Sequence, residues 1–111
     1  MDRVSQELME YLEEAMHHPD VSGFELIEVL DIRSQMAARE PVLGDDDKAA
    51  LETLDRQLLK LADLWLTRIS EVADLAQMRK KAHVLPSHWW WYLDEITTRK
   101  QEAIKRSAGR P

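Results

Sequence analysis

A chain of 111 residues with no cysteine and a formal net charge of −6 fits a single domain and excludes disulfides, zinc–thiolate and iron–sulfur sites and thiol nucleophiles. Leucine, alanine and methionine supply most of the apolar content, against three glycines, four prolines and one phenylalanine, so helix formers prevail and little supports a sheet. The charge is uneven: residues 1–50 carry 13 acidic and 4 basic side chains, residues 79–111 carry 8 basic and 3 acidic, a distribution that favours a basic protein partner over nucleic acid.

No apolar run follows Met1-Asp2-Arg3, so neither a signal peptide nor a membrane span is predicted, and the expected location is the cytoplasm. Val4, Leu8, Tyr11, Leu12 and Ala15 recur at helical spacing and predict a first helix over about residues 2–16, ended by Pro19. A second helix starts at Ser22, whose spacing to Glu25 is that of a capping box, and runs to about Arg39 before Pro41. Phe24, Ile27, Leu30 and Ser34 follow one apolar line and Leu26, Val29, Arg33 and Ala37 a flanking row, a stripe wide enough to suggest contact on more than one side. Asp45 is a good cap for the next helix, with Asp46 and Asp47 favouring its positive end.

From Asp46 to Ala82 neither proline nor glycine interrupts the chain. The spacing predicts one helix of about 37 residues, about 55 Å long. Its core row, Leu51, Leu54, Leu58, Leu61, Trp65, Ile69, Val72 and Ala76, follows heptad steps that slip once near Trp65. Leu75 falls off that row. Arg79-Lys80-Lys81 complements the helix dipole. A last helix is predicted from His88, capped by Ser87, to about Lys105. The expectation is therefore an all-α fold: a small bundle of about four helices organised around one long central helix over about residues 46–82. Residues 1–106 read as one domain and residues 107–111 as a frayed tail.

His88-Trp89-Trp90-Trp91-Tyr92 is the unusual local feature. Consecutive helical residues lie about 100° apart, so the three indoles spread over about 200°. A core face that holds Trp89 with Leu93 and Ile96 cannot also hold Trp91. The surplus aromatic surface closes the open end of the bundle, meets a second copy or another protein, or forms a ligand cage or base-stacking platform, with Trp65 as a further candidate contact.

Chemistry-bearing motifs are few. There is no glycine-rich phosphate loop and no His-Glu-x-x-His. Glu25 and Glu28, with Asp31 three residues on, line one side of the second helix, and Glu71 and Asp74 form another pair on the long one. This pattern resembles the all-helical nucleotide pyrophosphohydrolases over residues 25–31 and 71–74. That resemblance implies magnesium held by the five carboxylates and hydrolysis of a nucleotide pyrophosphate bond, although the adjacent glutamate before the first pair is missing here.

No complete catalytic set stands beside these residues. The first reading is thus a non-enzymatic protein-interaction module without a cofactor: an oligomeric regulator, an antitoxin-like inhibitor or an accessory subunit, forming a homo-oligomer, in the simplest case a dimer. The alternatives are the magnesium-dependent enzyme and a DNA-binding regulator, which requires a recognition helix after a tight turn.

Overall fold

The first helix, α1 (Arg3–His17), is capped by Asp2, whose carboxylate accepts from the Ser5 amide at 2.7 Å. Ser22 caps α2 (Gly23–Ala37) in the same way, accepting from the Glu25 amide at 3.2 Å. A 3₁₀ turn (Glu40–Val42) built on Pro41 follows. Helix α3 (Asp45–Lys60) begins after Gly44, so Gly44 takes the cap position and the three aspartates fill the first turn, where the helix dipole favours them. Then come α4 (Ala62–Ser70), α5 (Leu75–Ala82), a 3₁₀ turn (Trp89–Trp91) and α6 (Leu93–Ala108). The structure, a computed structural model, describes residues 1–108. Of the tail expected over 107–111, Ser107 and Ala108 belong to α6 and the remainder lies outside the described residues.

The expected bundle of about four helices around one long helix is therefore corrected to six α-helices among the described residues, because the stretch 46–82 is broken twice. The first break is at Leu61, with φ −91° and ψ 0°. Its amide is shared between the carbonyls of Gln57 and Leu58 at 3.1 and 3.0 Å, the tightened turn that often closes a helix. This lets Leu58, Ala62 and Trp65 all face inward although the heptad slips there. The second break is made by Asp74, which is extended and accepts from the Gln77 amide at 3.2 Å. Asp-x-x-Gln is a capping signal, and it starts a new helix where apolar periodicity alone predicts continuation. The turn also moves the core row: Leu75 is buried while Ala76 is exposed.

Close approach at this second break depends on Gly23. A Cβ there would lie 2.2 Å from the Arg68 carbonyl oxygen and 2.7 Å from a Val72 methyl. Lacking one, α2 seats its first residue on the end of α4, and Arg68 pairs with Asp20 at 2.8 Å beside it. His83 closes α5 in the left-handed region, with φ 51°.

The last helix is shorter at its start than predicted. The chain makes a 3₁₀ turn through the tryptophans, and α6 begins only at Leu93. The core runs through Leu12, Leu26, Leu30, Met36, Leu58, Trp65, Ile69 and Leu93. In it α1 packs on α2 and α3, α2 on α4, and α4 on α6. Among the described residues no helix is long and apolar enough to cross a membrane.

Candidate functional site

Two regions on opposite flanks of α2 collect the residues with chemical character. The inner one is formed by the tryptophan turn. Trp90 is 2 % exposed, while Trp89, Trp91, His88 and Tyr92 are half-buried and Trp65 is fully buried. None of these six residues is exposed. The buried member of the run is Trp90, not Trp89, because the segment is a 3₁₀ turn pinned by distant partners. The indole N–H groups of Trp90 and Trp91 both donate to the Ser34 hydroxyl oxygen at 2.9 Å. That oxygen has two lone pairs and one proton. Both lone pairs are used, so the proton is directed to His88 Nδ1 at 3.2 Å, and the His88 tautomer carrying hydrogen on Nε2 completes the set.

Arg33, one residue before Ser34, is 4 % exposed. Its guanidinium donates twice to Asp55, at 2.8 and 2.9 Å, and once to Glu40 at 2.9 Å. The same group lies 4.1 Å above the Trp90 ring, and His88 stacks on that ring at 4.7 Å. A buried charge is tolerated when it is paired and hydrogen-bonded in this manner, and the indole face adds a cation–π contribution. A cleft of about 380 Å³ beside the cluster is lined by Arg33, Glu40, Asp55, His88 and Trp89, among others. The network thus locks α2, α3 and the segment before α6 together.

A second lock lies at the other end of the turn. Arg79 donates to the Trp91 carbonyl at 2.9 Å and to both Asp94 oxygens, and its guanidinium covers the Tyr92 ring at 4.4 Å. Tyr92 in turn donates to the Val84 carbonyl at 3.0 Å. Burial opposes ionisation of Asp94, but hydrogen bonding and charge from Arg79 outweigh it and hold the carboxyl below its ordinary value. Of the basic run 79–81, Arg79 is thereby spent inside the fold, while Lys80 and Lys81 are exposed.

The outer region is a groove between α1 and α2. It has a volume of about 270 Å³ and is lined by Tyr11, Glu14, Ala15, His18, Val21, Glu25 and Val29. Tyr11 is 40 % exposed, and Val4 on the same flank of α1 is also exposed. On the outer face of α2, Phe24 is 68 % exposed, one helical turn before Glu28. Burial, then the negative charges of Glu28 and Glu25, push the Tyr11 hydroxyl above its ordinary value, so the groove combines apolar walls with negative potential. The sequence places Tyr11 in the first helix's apolar line but does not separate it from its buried neighbours Leu8 and Leu12.

The carboxylates implied as magnesium ligands by the pyrophosphohydrolase resemblance do not form one site. Glu25 and Glu28 face Tyr11 across the groove, and Asp31 accepts from Gln35 at 2.9 Å. Glu71 pairs with Arg68 at 3.6 Å, and Asp74 caps α5. Among the described residues no group of three or more His, Asp or Glu side chains is placed to hold a metal ion. The residues present therefore do not fit the metal. No protein-family model, no curated protein and no solved structure matches the chain.

Proposed function

We propose that the chain acts by binding another protein, and that the groove between α1 and α2 receives a basic amphipathic segment of it. The observation that carries this reading is the conjunction at the groove of an exposed tyrosine and apolar walls with the acids Glu25 and Glu28. Tyr11, Ala15, Val21 and the buried Val29 offer apolar contact, while Glu14 lies 3.4 Å from His18 and Glu25 and Glu28 border the groove without an ion-pair partner among the described residues. Large apolar side chains left at the surface in one place mark binding sites more often than single scattered ones do. The acidic border adds steering and orientation for a basic partner. An apolar face flanked by cations, laid into such a groove, is a common mode of helix recognition. An inhibitor or accessory subunit that engages a basic protein has the surface this requires.

Affinity capture from native extract tests it. The reading expects a basic protein retained at low salt, released at high salt, and lost when Glu25 and Glu28 are both replaced by lysine. Retention that ignores both salt and this charge reversal contradicts it.

A further inference from the structure

The second half of α6 is an uncovered counterpart to the groove. Leu93, Ile96 and Thr97 pack inward, and α6 rests mainly on α4. From Thr98 to Ser107 every residue is exposed. The apolar line nevertheless continues: Ile104 lies seven residues after Thr97 and eleven after Leu93, which is the same helix face, and it is 68 % exposed. Beyond the bundle the helix thus carries one large apolar side chain with nothing over it. Lys100 and Lys105 border that residue, Lys100 also donating to the Leu59 carbonyl at 2.8 Å, while Arg99, Glu102 and Arg106 lie round the far side of the helix. Ten helical residues span about 15 Å, close to the length from Val4 to Ala15 along the groove.

We infer that the groove is filled by the basic overhang of α6 from a second copy of the chain, with Ile104 seated against Tyr11, Ala15 and Val29 and the basic side chains of the overhang reaching Glu25 and Glu28. Charge complementarity between the two ends of the molecule supports this pairing, which rests on the groove reading above. Residues 1–74 carry 18 acidic and 7 basic side chains, residues 75–111 carry 8 basic and 3 acidic, so two chains attract when the end of one meets the start of the other. Exchange of overhangs in both directions closes the pair as a two-fold dimer, and one-way exchange gives an open chain. The reciprocal form fills both grooves, so a basic partner or peptide enters a groove by displacing the overhang.

The experiment is sedimentation equilibrium on the full chain, at low and high salt, with three variants checked for native helicity. Lys105→Glu with Arg106→Glu reverses the overhang; Glu25→Lys with Glu28→Lys reverses the groove; the third variant carries all four substitutions. The expected result is a dimer at low salt that dissociates as salt rises, about tenfold or more weaker association in each reversed variant, and recovery when the reversals are combined. A wild-type monomer throughout the concentration range, or a dimer indifferent to reversal of the overhang, overturns the inference. Two peptides separate that failure from failure of the groove reading: residues 96–108, and an unrelated leucine–lysine amphipathic helix. If only the unrelated helix binds, the groove reading stands and the self-docking inference fails; if neither binds, both fail.

Discussion

The two flanks of α2 treat polar groups in opposite ways. On the inner flank, Arg33 and Ser34 are surrounded by partners: two carboxylates and an indole face for the guanidinium, two indole N–H groups and an imidazole for the hydroxyl. On the outer flank, Glu25 and Glu28 gather around a tyrosine with no ion-pair partner among the described residues, and an exposed phenylalanine stands one turn away. The same helix thus shows a closed network and an open one. A polar cluster bonded across several segments holds them together, with Arg33 Nη1 alone of its guanidinium nitrogens lacking a partner among the described residues, whereas acids beside an exposed apolar surface are available to a second molecule.

The sharpest way to break this contrast is to open the inner network. Asp55→Ala leaves the Arg33 guanidinium buried beside the partly exposed Glu40 alone. A loss of about 3 kcal/mol is expected in urea unfolding, and replacing the pair together, Arg33→Met with Asp55→Leu, recovers much of it. Ser34→Ala removes the acceptor from the buried Trp90 N–H and from Trp91, with an expected cost of about 2 kcal/mol and an altered tryptophan emission.

The Arg79–Asp94 lock gives a smaller, pH-dependent effect. The folded-state carboxyl of Asp94 is held below its unfolded value of about 3.9. Its contribution is therefore present above about pH 4 and is lost as the pH falls through the folded value. Asp94→Asn should flatten the acid limb of the stability profile and cost about 1 kcal/mol at neutral pH, the pair being partly exposed. The smallest effect on folding belongs to the outer flank. Glu25→Lys with Glu28→Lys should change stability by no more than about 0.5 kcal/mol, as thermal unfolding will show, while abolishing partner binding.

The α-helical class and the caps at Ser22 and before Gln77 were written in local residue patterns, and the first two helices follow their apolar spacing closely. The break at Asp74 is local too, but apolar periodicity over 46–82 obscures it. The start of α6 is not local: the tryptophan turn is fixed by Ser34, more than fifty residues earlier. A hint of that existed in Arg33 and Ser34, polar residues standing at apolar registers of α2. The groove was half legible. Its acids are visible in the charge distribution, but nothing local tells exposed Tyr11 from buried Leu8 and Leu12, because that depends on where α2 comes to rest.

The most direct test is an amide-shift titration of the full chain with a basic amphipathic peptide. Perturbations concentrated at Tyr11, Ala15, Glu25 and Val29, with the tryptophan turn unmoved, are the predicted result. Perturbations centred on Trp89, Trp90 and Trp91, or none at saturating peptide, would contradict the assignment of binding to the outer flank of α2.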